Sequence, residues 1–346
     1  LFFFYCVREF SGCPETILRN ARLMRNDPIM KKILITTALN REPLAELFGK
    51  FEVFMPQDKD MKRDQVLEMI SDYEVLIPNF SFSTDKEIIN RGVNLELISN
   101  YGVGYNNIDV EYATCKGIVV TNIPRTTCEP TAELAFALLL AAGRRIGYYD
   151  RKLREHRAID WGVYGDTGLP VFGKTLGIIG MGRIGQALAR RAVASGMNVI
   201  YHNRNRLSRE IEERYGATYV SFDELLRTAD YISLNAPSTP ETIKLIGEKE
   251  FLKMKPTAVF INTARGNMVD EKALAQALKE EKIWAAGLDV YEHEPKISPE
   301  LLVLENVVLT PHAGTKTIED RHRMAEEMVH NIIGFYEGKY EVSRVN

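Results

Sequence analysis

Three ionisable side chains stand shortly after apolar runs late in the chain. Arg265 follows Val259-Phe260-Ile261-Asn262-Thr263-Ala264, Glu294 comes after Gly287-Leu288-Asp289-Val290-Tyr291, and His312 follows Val308-Leu309-Thr310-Pro311. Together these residue types suit the reduction of a ketone beside a carboxylate. A hydride arriving at the ketone carbon leaves an alkoxide that needs a proton, and His312 is the histidine placed to donate it. Glu294 would favour the imidazolium and fix its tautomer. Arg265 offers a planar fork to a substrate carboxylate and can polarise the carbonyl. Singly, each residue has a plainer reading. Arg265 reads as a structural ion pair, Glu294 as a surface acid beside Glu292 and His293, and His312 as a cap beside Pro311. Their joint position at three strand ends favours catalysis, because ligands of open α/β sheets bind at the carboxyl ends of the strands.

The glycine-rich turn upstream supplies the hydride carrier. Leu176-Gly177-Ile178-Ile179 runs into Gly180-Met181-Gly182-Arg183-Ile184-Gly185, and a helix opens there. Gly180 allows the tight turn, Gly182 lets backbone approach a pyrophosphate, and Gly185 lets the helix pack on its strand. The first helical N–H groups, Arg183 and Ile184 among them, face the phosphates with the positive end of the helix dipole. The pattern alone is weak, and the strand before and helix after it make it specific. The next strand ends at His202-Asn203-Arg204-Asn205-Arg206, with Asn203 where a NAD site usually carries an acid. Without that charge a 2′-phosphate is not repelled, and Arg204 or Arg206 can pair with it. NADP is therefore expected over NAD. The plainer reading of the two arginines is a solvated face.

The elements that must position these residues alternate. Strands are expected at 32–37, 51–54, 74–77, 95–99 and 118–121, with helices at 43–49, 61–71, 84–91 and 108–116. A second alternation begins at Lys174, with strands at 175–179, 198–202, 231–234, 258–262, 285–288 and 307–309. Helices are expected at 183–195, 209–214, 271–280 and 318–336. Such alternation reads as two parallel α/β sheets. Between the halves, Thr131–Arg145 reads as a helix too apolar all round for a surface, hence one buried between domains or subunits. Residues 161–173 read as a crossing loop.

Composition bounds the remaining possibilities. The chain has 346 residues, two domains at roughly 150 residues each. Hydrophobic residues are 45% and charged residues 26%, enough for a sizeable core. The net charge of -3 and the absence of a long basic tract argue against nucleic acid. No apolar stretch reaches the roughly 18 residues of a membrane span, so a cytoplasmic enzyme away from membranes is expected. Cys6, Cys13, Cys115 and Cys128 match neither a metal site nor a disulfide framework, and no metal is expected. Residues 1–29 read unlike the rest. They are expected to be a non-native or disordered extension with Met30 as the natural start, the alternative being a short targeting or docking arm.

Several segments together make the chain resemble the D-isomer-specific 2-hydroxyacid dehydrogenase family from about Met30 onward. They are Asn100-Tyr101-Gly102-Val103-Gly104-Tyr105-Asn106-Asn107-Ile108-Asp109, Thr131-Ala132-Glu133-Leu134-Ala135, the Gly180 turn, Asn262-Thr263-Ala264-Arg265-Gly266, Gly287-Leu288-Asp289-Val290 through Glu294-Pro295, and Thr310-Pro311-His312-Ala313-Gly314. The resemblance implies Arg265, Glu294 and His312 as the catalytic residues. It implies two Rossmann-like doubly wound domains, with residues 122–312 as a cofactor domain inserted into a substrate domain of residues 30–121 and 313–346. It assigns substrate carboxylate binding to the N–H groups of Val103 and Gly104, where an ordinary turn would explain the glycines equally. It adds cofactor contacts at Thr131, Ala236, Pro237, Thr242, Thr263, Ala264, Asp289, His312 and Gly314, and a homodimer.

Two departures from the family pattern matter. The acid is missing at Asn203, and Ala313 follows the histidine where a larger aliphatic residue is common. Glu294 rather than Gln counts against formate dehydrogenase. The Asn203-Arg204 pattern is most similar to glyoxylate and hydroxypyruvate reductases. The resulting expectation is NADPH-linked reduction of glyoxylate or hydroxypyruvate to the D-2-hydroxy acid. A NAD-linked 3-phosphoglycerate dehydrogenase and a dinucleotide-sensing, corepressor-like binding protein stay open at this level.

Overall fold

A computed structural model of the chain describes residues 30–346, so the expectation for residues 1–29 lies outside the described residues. The described residues divide into two compact units, residues 30–126 with 321–346, and residues 127–320. The divisions fall slightly later in the chain than 121/122 and 312/313.

The first unit holds five parallel strands, β1 (Lys32–Ile35), β2 (Glu52–Phe54), β3 (Val75–Ile77), β4 (Leu97–Ser99) and β5 (Val119–Thr121), in the order β2-β1-β3-β4-β5. Alternate side chains serve opposite faces, as the strand period of two requires. Ile33, Ile35, Val75, Ile77 and Leu97 enter one core, and Leu34, Leu76, Ile98 and Val120 the other. Both faces are covered, which is why these strands read as continuous apolar runs. The C-terminal helix Ile318–Glu337 sets Met324, Ala325, Met328, Val329, Ile332 and Ile333 into the first core. Their spacing keeps one helical stripe on the sheet. Each such large side chain contributes roughly 1.5–3 kcal/mol when fully buried.

The second unit holds seven strands, β6 (Thr175–Ile179), β7 (Asn198–His202), β8 (Ala217–Tyr219), β9 (Tyr231–Leu234), β10 (Val259–Asn262), β11 (Ala285–Leu288) and β12 (Val307–Leu309). All pairings are parallel, in the order β12-β11-β10-β9-β6-β7-β8. The order reverses between β6 and β9, so the crevice for a ligand opens at their carboxyl ends.

The apolar helix runs over Cys128–Gly143 rather than 131–145. It begins earlier because Pro130 sits within the first turn, where its missing N–H costs nothing. It ends before Arg145, whose backbone is left-handed at φ 56°. Ala132, Ala135, Leu138, Leu139 and Ala142 pack into a core of the helix's own unit, so that unit alone accounts for its burial. Gly287 makes the approach possible, because a Cβ there would lie 2.9 Å from the Leu138 Cβ.

A helix at Ile146–Arg154, strand β8 and a helix at Phe222–Thr228 are additions to the sequence reading. The last carries a readable signal, since the Ser221 hydroxyl accepts from the Glu224 N–H at 3.2 Å in the manner of an N-cap. Among the described residues no helix is long and apolar enough to cross a membrane.

Candidate active site

The turn between β6 and the helix Arg183–Ala194 uses its three glycines differently. Gly180 sits at φ +94°, and a Cβ there would meet the Ala236 N at 2.4 Å. A Cβ on Gly185 would lie 2.6 Å from the Gly180 carbonyl oxygen. A Cβ on Gly182 would meet nothing within 4 Å, so open space lies where a pyrophosphate would approach. Gly182 caps the helix, leaving the first-turn N–H groups of Arg183 and Ile184 without intrahelical acceptors.

Two buried polar atoms nearby in the chain's topology have no partner among the described residues, the Asn235 Oδ1 after β9 and the Thr263 Oγ1 after β10. Buried polar atoms are rarely left unpaired, and both atoms follow strands whose carboxyl ends define the crevice. A dinucleotide fits such a site. Ala236 borders Gly180. The Thr242 hydroxyl donates to the Pro237 carbonyl at 2.9 Å and closes that turn. Thr131, Asp289 and Gly314 come together: a Cβ on Gly314 would lie 3.3 Å from the Thr131 Oγ1 and 3.4 Å from the Asp289 Oδ2.

At the end of β7 the polar residues are already engaged. The Asn203 Oδ1 accepts from the Met181 N–H at 2.6 Å and ties the strand end to the glycine turn. Arg206 places its fork on Glu212, with Nε and Nη2 each 2.8 Å from a carboxylate oxygen. The Tyr201 hydroxyl donates to the same carboxylate at 2.7 Å. Arg206 and Tyr201 together hold the Glu212 carboxyl down to about 2. Burial, reinforced by Glu212, pushes the Tyr201 phenol up to about 12. Arg204 is exposed and makes no ion pair among the described residues. The sequence treated Arg204 and Arg206 alike, and the structure separates them.

Arg265, Glu294 and His312 stand on the loops that follow β10, β11 and β12. The His312 Nδ1 lies 2.7 Å from the Glu294 Oε2. The other oxygen of Glu294 accepts from the Tyr291 N–H at 3.0 Å, so the carboxylate is fixed at both ends. Burial alone would raise the Glu294 carboxyl. The hydrogen bond and charge of His312, the Tyr291 N–H and the Arg265 charge outweigh it and hold the group below its ordinary range. Arg265 is largely withdrawn from water, and desolvation lowers its pKa despite the field of Glu294. Its Nη1 donates to the Ala264 carbonyl at 2.6 Å. The loop can press this close because residue 266 is glycine, where a Cβ would fall 1.9 Å from the Tyr291 carbonyl carbon.

Two residues hold the loops in place. Asn262 accepts from the Ala264 N–H at 3.0 Å and donates to the Arg265 carbonyl at 3.1 Å. An asparagine opening a turn is a legible signal for that task. Asp289 is the other. Its carboxylate accepts from the Thr310 hydroxyl at 2.5 Å, the Ala313 N–H at 2.6 Å and the Gly314 N–H at 2.9 Å. The His312 N–H donates to its backbone carbonyl at 2.9 Å. These bonds bracket His312, whose backbone is left-handed at φ 50°, a conformation that costs a non-glycine residue roughly 1–2 kcal/mol. Burial pushes the Asp289 carboxyl up, against the pull of those donors.

Val103 and Gly104 lie on the loop after β4, in the first unit.

Residues 136–314 match the family described as D-isomer specific 2-hydroxyacid dehydrogenase, NAD binding domain. The chain is 42% identical over 320 residues to a glyoxylate reductase of Pyrococcus furiosus, covering 91% of this chain and 95% of that protein. It is similar to the crystal structure of a glyoxylate reductase from Paecilomyes thermophila, with a TM-score of 0.83 and 36% identity over 92% of this chain and 98% of the other. It is similar too to an NADPH-dependent glyoxylate/hydroxypyruvate reductase from Sinorhizobium meliloti solved with NADP and malonate, with a TM-score of 0.80 and 31% identity over 91% and 96% of the two chains. A glycine turn fitted to a dinucleotide, three strand-end residues suited to carbonyl reduction, and similarity along nine-tenths of the chain lead to one statement: this chain belongs to the D-isomer specific 2-hydroxyacid dehydrogenases.

Proposed function

We propose that the chain reduces a small 2-oxo acid, glyoxylate or hydroxypyruvate, to the corresponding D-2-hydroxy acid, with NADPH preferred over NADH. The observation that carries the substrate class is the 42% identity to a glyoxylate reductase over 91% of the chain. A bound nicotinamide dinucleotide supplies the hydride. The chain's own residues do the rest. His312, oriented through Nδ1 by Glu294, presents Nε2 to the nascent alkoxide and gives up its proton. Arg265 draws on its desolvated charge to hold the substrate carboxylate and polarise the ketone. The N–H groups of Val103 and Gly104 take the same carboxylate.

The reading of coenzyme preference is supported by the end of β7, where Asn203 stands in place of the usual acid. Because Glu212 engages Arg206, Arg204, exposed and in no ion pair among the described residues, is the cation that would pair with that phosphate. A homodimer is part of the same reading. Trp161, Val163, Tyr164 and Phe172 stand 85%, 87%, 91% and 79% exposed on one connecting segment, and a patch of that kind marks an interaction surface. Sedimentation of the unaltered protein against Trp161→Asp tests the dimer.

The deciding experiment follows coenzyme oxidation with a panel of 2-oxo acids, run once with NADPH and once with NADH. Fastest turnover of glyoxylate or hydroxypyruvate with NADPH is expected. Turnover of neither acid would sink the substrate assignment, and a better rate with NADH would sink the coenzyme assignment.

A further inference from the structure

The loop after β4 has three successive carbonyls engaged by side-chain amides. The Asn100 Nδ2 donates to the Gly102 carbonyl at 3.1 Å and the Gly104 carbonyl at 2.8 Å. The Asn122 Nδ2 donates to the Val103 carbonyl at 2.8 Å. Each donor is itself held. Asn100 is completely buried, and its Oδ1 accepts from the Asn107 Nδ2 at 3.2 Å. Asn107 also donates to the carbonyls of Asn79 and Phe82, each at 3.1 Å. The Asn122 carbonyl accepts from the buried Asn331 Nδ2 at 2.8 Å, and the Asn331 Oδ1 takes the Ser343 N–H at 2.8 Å.

This arrangement has a directional consequence. A trans peptide points its N–H opposite its C=O. Fixing the Gly102 and Val103 carbonyls therefore turns the N–H groups of Val103 and Gly104 the other way. Among the described residues neither N–H has an acceptor within the chain. Two neighbouring N–H groups without an acceptor in the chain are available to an anionic ligand. Ordering them beforehand removes an entropy cost that a substrate would otherwise meet on binding.

We infer that Asn100 and Asn122, backed by Asn107 and Asn331, are positioning residues for the 2-oxo acid carboxylate. They hold the two peptide planes that present the Val103 and Gly104 amides. The inference rests on the reading of those amides as the carboxylate site. Neither asparagine touches the substrate, so its effect belongs in substrate affinity rather than in the chemical step.

The test uses Asn100→Ser and Asn122→Ala in the full chain, with Asn94→Ala as a control. Asn94 donates to the Ser71 carbonyl at 2.7 Å in the same unit, away from the loop after β4. The readouts are KM and kcat for glyoxylate, the inhibition constant of oxamate (an unreactive 2-oxo acid isostere), the coenzyme Kd and the thermal midpoint. Oxamate-dependent slowing of amide exchange over residues 101–107 is followed by mass spectrometry. Each variant is expected to raise KM and the oxamate constant together by about three- to tenfold, the worth of one lost hydrogen bond. Its kcat and coenzyme Kd stay within about twofold, on the same scale of one small contact. Asn94→Ala moves only the thermal midpoint. Asn122 is only partly buried, so its variant keeps the test alive if Asn100→Ser does not fold. Folded variants with unchanged KM and unchanged oxamate protection would overturn the inference alone. Absence of oxamate protection over 101–107 in the unaltered protein would overturn the carboxylate reading itself, and the inference with it.

Discussion

The His312 imidazole and the Glu294 carboxylate meet at 2.7 Å across 18 residues of chain. The contact uses Nδ1, so in the proposed reaction Nε2 is the nitrogen that faces the substrate. His312→Ala is expected to lower kcat by about 10²–10⁴-fold, the usual worth of a positioned proton donor. Coenzyme Kd, read by fluorescence titration, should hardly change. Near-normal turnover would remove His312 as the donor.

The same pair makes stability depend on pH. The Glu294 carboxyl is held below its ordinary value of 4.5 in the folded chain. A depressed carboxyl contributes stability above its unfolded pKa and loses it as the pH falls through the folded one. The urea midpoint of the unaltered protein should therefore fall more steeply below pH 4.5 than that of Glu294→Gln. Parallel curves would show that the carboxylate adds nothing to folding.

Gly182 and Gly180 separate ligand binding from folding. A methyl on Gly182 meets nothing within 4 Å, whereas one on Gly180, at φ +94°, meets the Ala236 N at 2.4 Å. Gly182→Ala should keep the thermal midpoint and raise the coenzyme KM by about tenfold or more, the loss of roughly one charge-assisted bond. Gly180→Ala should lower the midpoint outright, by on the order of 1–3 kcal/mol of stability. Equal midpoints for the two would contradict the geometry.

Glu212 competes with a 2′-phosphate for Arg206. Its carboxyl, held at about 2, stays charged throughout the neutral range, so the pair persists under assay conditions. Glu212→Gln should release the guanidinium and raise the NADPH-over-NADH preference by about three- to tenfold. Arg204→Ala should weaken NADPH while sparing NADH. A coenzyme ratio unmoved by both changes would place discrimination elsewhere.

Local sequence carried much of this. Gly180 and Gly185 are legible as backbone demands, since Gly180 is at φ +94° and a Cβ on Gly185 would lie 2.6 Å from the Gly180 carbonyl oxygen, and Gly182 as the open approach to a phosphate. The strands β6, β9, β10, β11 and β12 are legible because apolar runs bounded by turn residues can be little else in an alternating chain. The three strand-end residues Arg265, Glu294 and His312 follow from that order, since parallel strands bring their carboxyl ends to one edge. The helix Ile146–Arg154 escaped because its register is set by the left-handed Arg145 and the burial of Tyr148, not by an apolar repeat.

What tertiary structure decided is which polar groups are already engaged. Arg204 and Arg206 are equivalent as letters, and only the approach of Glu212 makes one of them unavailable. Asn203 reads as a missing acid, yet in space it anchors the Met181 N–H. Asp289 reads as a ligand contact, and in space it holds the left-handed turn that aims His312. Asn331 holds the Asn122 carbonyl from 209 residues further along the chain, and the Asn122 side chain reaches the loop that Asn100 also holds. Hydrogen-bond capacity is finite and is spent on whatever the fold brings near. Sequence therefore determined the kind of chemistry and its candidate residues, while the fold decided which polar groups those residues already engage.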